Sequence, residues 1–155
     1  MTGRPTTEPI GLQLARTAKA TSRAFDAALG DAGGSVPVWL ILVSLKTGGH
    51  AMQRELAAAV GIEGPTLTHH LDRLERDGLV SRERDPANRR IQRVALTDAG
   101  DAAFFRLAKV VRAFDRRLRA GFDDDEIATL AALLTRLHGN VADPTHAMNT
   151  TEVPA

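Results

Sequence analysis

The sequence predicts a mainly α-helical fold carrying one short β-hairpin. Apolar residues recur at steps of three and four along most of the chain. The period changes only between Leu79 and Leu96, where two short extended runs flank the turn-forming cluster Asp85-Pro86-Ala87-Asn88. A length of 155 residues fits one domain, and 43% hydrophobic with 25% charged residues is the composition of a soluble globular protein.

The helices follow in order. Ile10, Leu14, Ala18, Thr21, Phe25 and Ala28 form one long amphipathic stripe, ended by Gly30 and the Gly33-Gly34 pair. Ser35 caps a mostly apolar second helix with Pro37 in its first turn, and Gly48-Gly49 stops it. Met52 to Val60 is a short third helix cut by Gly61. A fourth runs from about Glu63 to Asp77, with Pro65 in its first turn and Gly78 at its end. After the hairpin, Thr97 caps a fifth helix bearing Phe104, Leu107, Val111, Phe114 and Leu118, broken at Gly121. Asp123 and Asp124 begin the last helix, which carries Ile127, Leu130, Leu134, Leu137 and Val141. Residues 1–9 and 142–155 read as flexible tails.

Composition removes several function classes. The absence of cysteine excludes disulfides, a thiolate nucleophile, thiol redox sensing and zinc sites built on Cys. No apolar run approaches the ~20 residues of a membrane span, and the N-terminus lacks the order of a signal peptide, so a cytoplasmic protein is expected. No Gly-rich phosphate loop and no spaced acid/base constellation is present, so no enzyme is expected. His69 and His70 are neighbours, about 100° apart on a helix, and no His pair has the spacing of a metal site. Neither metal nor cofactor is expected.

A short helix, a turn at Gly61, a second helix and a basic hairpin make a winged helix-turn-helix. The fourth helix fits the DNA major groove, about 12 Å wide, and the hairpin reaches the neighbouring minor groove. Net charge is only +1, but Arg82, Arg84, Arg89, Arg90 and Arg93 stand against Glu83 and Asp85, a local +3. Seventeen of the 20 basic residues are Arg, which suits bidentate contacts to phosphate and guanine and is equally the mark of a GC-rich genome.

The stretch Leu71-Asp72-Arg73-Leu74-Glu75-Arg76-Asp77-Gly78-Leu79-Val80 carries a family resemblance. It continues with Arg82, Asp85-Pro86, Asn88-Arg89-Arg90 and Val94-Ala95-Leu96-Thr97-Asp98-Ala99-Gly100, about 30 residues in all. In these elements the chain resembles the MarR family of bacterial transcription regulators. The resemblance implies a single domain over residues 10–141. Residues 10–34 and 101–141 would form dimerisation helices around a winged helix-turn-helix lobe at 35–100. It further implies a homodimeric repressor that binds an inverted-repeat operator in double-stranded DNA and is released by a small aromatic or anionic ligand. Where the family usually has Asp two residues before the wing arginine, this chain has Asn88, which puts the rigidity of the wing in question.

Candidate DNA-contacting residues are Thr66, Thr68, His69 and Arg73 on the fourth helix, opposite Leu67, Leu71 and Leu74, with Arg89 and Arg90 at the wing tip. Arg90 matches the family's minor-groove arginine. For Thr66 a capping role stands beside the DNA role. On the first helix Leu12, Arg16, Lys19 and Arg23 form a second stripe. It is either a solvated basic face or, by the resemblance, part of an effector cleft in which Arg16 would pair with a carboxylate. Trp39 is either core or the aromatic wall of that cleft. The long apolar stripes of the first, fifth and sixth helices exceed what one small lobe can cover, so a symmetric partner is expected. The competing function is a winged-helix protein-interaction adaptor without ligand control; an adaptor needs no excess of arginine at the turn.

Overall fold

A computed structural model gives the architecture and describes residues 8–48, 51–88 and 91–142. The fold is mainly helical with a small sheet, as the periodicity predicts. In order it contains α1 (Ile10–Asp31), α2 (Val36–Gly48), β1 (Ala51–Met52), α3 (Gln53–Val60), α4 (Gly64–Arg76), β2 (Val80–Arg84), β3 (Gln92–Leu96), α5 (Asp98–Leu118) and α6 (Asp124–Ala142). The chain divides into two compact units, residues 1–114 and 115–155, and α5 runs across the boundary.

The first unit has two apolar clusters that share α2. Ile41 and Leu45 join Leu56, Val60, Leu67, Leu71, Leu74, Val80 and Val94, all buried. Leu42 instead joins Leu29, Ala103 and Leu107, bordered by Phe25, Trp39, Phe104 and Val111. A helix that is apolar on nearly every side can serve two cores at once. Each fully buried large side chain contributes about 1.5–3 kcal/mol of transfer free energy, so the three α4 leucines fix which face of that helix points inward.

Capping follows the sequence closely. The Val38 N–H donates to Ser35 Oγ at 3.4 Å and the Trp39 N–H to Ser35 O at 2.9 Å. Thr97 Oγ1 accepts from the Gly100 N–H at 3.0 Å and donates to Gly78 O at 2.6 Å, so one hydroxyl starts α5 and holds the end of α4. Gly61 ends α3 at φ 66° and Gly78 follows α4 at φ 71°, left-handed values that favour glycine.

One element goes beyond the hairpin expected from sequence. β1 pairs antiparallel with β3 (Ala51 with Val94, Met52 with Arg93), giving a three-stranded sheet in the order β1-β3-β2. Two residues are too short for an alternation pattern to register; the strand exists because β3 offers a free edge. β2 and β3 pair from Val80 with Leu96 to Arg84 with Gln92.

In the second unit, Asp123 and Glu126 form a reciprocal capping box at the start of α6. The Glu126 N–H donates to Asp123 Oδ1 at 2.8 Å, and the Asp123 N–H to Glu126 Oε2 at 2.9 Å. No residue of α6 is buried: Leu130 is 46% exposed and Val141 82%. No single helix among the described residues is long and apolar enough to cross a membrane.

Candidate nucleic-acid interface

α4 begins after Glu63, which occupies the cap position, so Thr66 lies inside the first turn rather than capping it. Its side chain is exposed and bonds to no other described residue. His69 and Arg73 follow at steps of three and four on the same outward face, both exposed. Arg73 lies 3.8 Å from the Asp77 carboxylate, a loose surface pair that leaves the guanidinium available.

Thr68 differs from its three companions. Its hydroxyl donates to Gly64 O at 3.0 Å and accepts from Gln53 Nε2 at 2.7 Å. It is half-buried and ties the start of α3 to the start of α4. His70 is half-buried as well, its ring 6.2 Å from that of His69. Among the described residues no group of three His, Asp or Glu side chains is placed to hold a metal ion.

The wing is anchored by two charge clusters. Arg82 on β2 donates through one terminal nitrogen to Asp72 Oδ1 at 2.6 Å and to Glu75 Oε2 at 2.5 Å, with Nε also on Glu75 at 3.0 Å. The Glu75 bond, aided by Asp72, raises the Arg82 pKa above its ordinary value although burial opposes it. Only 14% of the Arg82 side chain is exposed. At the turn, Asp85 Oδ1 accepts from the Ala87 and Asn88 N–H groups at 2.8 and 3.1 Å, an Asx turn. Its Oδ2 takes the Arg93 guanidinium at 2.7 and 2.6 Å. The Arg93 bond first and the Ala87 N–H second hold this buried carboxyl below its ordinary value.

These clusters change the meaning of the local positive charge. Arg82 and Arg93, two of the five arginines counted between residues 82 and 93, are paired with carboxylates of the same lobe. Sequence reasoning missed both roles; the Asp85-Pro86 pair was the available signal for the turn, while nothing local marks Arg82 as bound. Arg84 is exposed and makes no ion pair with another described residue. Arg89 and Arg90 lie outside the described residues. Beside the turn end of the hairpin lies a groove of about 640 Å³ with Gln53, Arg54, Arg84, Asn88 and Gln92 in its wall.

The residues of the expected effector stripe are not among the described residues that line this groove. Arg16 is 76% exposed and pairs with Glu8 at 2.6 Å. Lys19 and Arg23 are exposed. Trp39 is half-buried and stacks on Phe104 with ring centroids 5.5 Å apart. No hydrogen bond, ion pair or ring contact joins the three basic residues to Trp39.

Comparison with known proteins places this arrangement among transcription regulators. The family described as MarR matches residues 35–92. The chain is similar to a probable transcriptional regulator from Pseudomonas aeruginosa, with 30% identity, a TM-score of 0.73, and 84% of this chain and 97% of that one covered. It is similar to a MarR variant from E. coli solved in complex with operator DNA, with 25% identity, a TM-score of 0.74, and coverages of 83% and 93%. It shares its fold with Bordetella bronchiseptica BpsR, whose DNA binding is regulated by 6-hydroxynicotinic acid, at 22% identity, a TM-score of 0.74, and coverages of 84% and 99%.

Proposed function

The chain belongs to the MarR family of transcriptional regulators, and we propose that it acts as a homodimeric repressor of double-stranded DNA, released by a small anionic ligand. The carrying observation is the outward face of α4. Thr66, His69 and Arg73 project from a helix whose opposite face is locked by Leu67, Leu71 and Leu74, and Arg82 braces that helix to the wing. Such a helix presents hydrogen-bond donors to base edges while its orientation stays fixed. The action is binding, not catalysis, and its setting is the cytoplasm.

The dimer is supported by the apolar residues of α6 and of the start of α1. Leu130, Leu133 and Leu134, with Ile10, Leu12 and Leu14, are all exposed in the single chain. Leucines at helical spacing that meet no core call for a partner surface, and a second copy provides it with two-fold symmetry. Two α4 helices would then read half-sites about one helical turn, ~10 bp, apart. Arg90 is assigned to the minor groove or its phosphates, with Arg89 contributing less. A ligand that favours the wrong spacing of the two helices by ~2.7 kcal/mol would weaken binding about a hundredfold. Arg16, Lys19, Arg23 and Trp39 are assigned to that ligand; aromatic carboxylates are the class proposed, consistent with the regulation of BpsR.

The test is a titration of the purified chain with inverted-repeat and scrambled duplexes, with and without a panel of aromatic acids, beside analytical ultracentrifugation. A dimer that prefers an inverted repeat and lets go of it with one acid supports the whole reading. A monomer at micromolar concentration, or a dimer that binds no duplex, overturns it.

A further inference from the structure

We propose that the groove beside the turn end of the hairpin seats the sugar-phosphate strand that separates the two DNA grooves, with Arg54 and Arg84 holding its phosphates. The proposal rests on the DNA reading above and extends it to Arg54 and Arg84, which that reading does not use. A duplex with α4 in its major groove and the wing in the next minor groove must pass one backbone strand between those two elements. The groove has both as neighbours. Gln53 in its wall is bonded to Thr68 of α4 at 2.7 Å, and Arg84 and Asn88 in its wall belong to the hairpin.

Its chemistry suits a phosphodiester. Arg54 comes from α3 and Arg84 from β2; both are exposed, and neither makes an ion pair or hydrogen bond with another described residue. Their neighbours Arg82 and Arg93 are both held by carboxylates. No carboxylate among the described residues lines the groove, so none of them competes with a phosphate for the two guanidinium groups. Arginine forks match phosphate oxygens in pairs. At about 640 Å³ the groove also has the size of a small-molecule site, so a free carboxylate ligand is the competing occupant. Backbone is favoured because the groove is open and its wall runs from Gln53, which is bonded to Thr68 of α4, to Arg84 and Asn88 of the hairpin.

Backbone contacts are independent of sequence, so a mixed-sequence duplex is a sufficient probe. Binding is measured by fluorescence anisotropy across a salt series for the full chain, Arg54→Ala, Arg84→Ala, the double variant and Arg84→Lys. Each alanine variant is expected to flatten the slope of log affinity against log salt by about 0.9, and the double variant by about 1.8. The loss should be the same factor on any duplex sequence, and Arg84→Lys should keep most of the slope. Unaltered slopes and affinities in all variants overturn the proposal. So does loss of benzoate binding in the alanine variants with duplex binding intact, which would give the groove to a free carboxylate. Failure of the unmodified chain to bind duplex refutes the DNA reading instead, so the two failures are distinct.

Discussion

Arg82 on β2 lies 2.6 Å from the Asp72 carboxylate on α4, across ten positions of sequence. With Glu75 it forms a three-membered cluster in which one guanidinium is shared by two carboxylates one helical turn apart. The base of the wing is thereby tied to the helix proposed to read DNA.

Replacing Arg82 with Ala leaves two like charges facing each other without a cation. Both carboxylates remain 40–50% accessible to water (49% and 41%), so the cost is about 1–2 kcal/mol rather than the 3–5 of a fully buried pair. Arg82→Lys should recover only part of this, because a point charge cannot fork between two acceptors. Denaturant midpoints at constant slope give the comparison. A variant as stable as the parent would show the cluster to be a surface pair of no consequence.

Asp85 makes wing stability depend on pH. Its carboxyl is held below the ordinary value of 3.8 by Arg93 and the turn N–H groups. A native value below the unfolded one adds stability that is complete above about pH 4 and is lost as the pH falls through the native value. The stability difference between the parent and Asp85→Asn should therefore stay constant from about pH 7 to pH 5 and shrink below about pH 4. Thermal melts of the two proteins over that range check it. A difference that shrank already near pH 6 would implicate a histidine instead.

Gly100 and Gly61 should respond to alanine for different reasons. A Cβ at Gly100 would stand 1.9 Å from Leu79 O, a backbone atom that cannot swing aside. Gly100→Ala should cost about 3 kcal/mol and shift the start of α5 against the β2 end. At Gly61 there is open space but φ is 66°, so Gly61→Ala should cost only about 1 kcal/mol. Equal losses at the two positions would mean that the close approach relaxes freely.

Much of this molecule is readable from local sequence. Leu67, Leu71 and Leu74 announce one buried face of α4, and all three are buried. Ser35, Thr97 and Asp123 announce helix starts, and each hydroxyl or carboxylate accepts the expected backbone N–H. Periodicity and capping depend on residues within one or two turns of each other, so the linear order contains them.

The candidate interface was readable only in part. Thr66, His69 and Arg73 point outward as their spacing predicts, but Thr68 is turned to internal use by Gln53, fifteen positions away. Arg82 and Arg93 count as free positive charge along the chain until Asp72, Glu75 and Asp85 are brought beside them. β1 likewise exists only because β3 arrives next to it. Local patterning thus determined the helices, the buried face of α4 and the hairpin. Which polar side chains remain free to meet a ligand was decided by tertiary contact, because a hydrogen bond or ion pair needs a partner within about 3 Å and sequence distance does not report that separation.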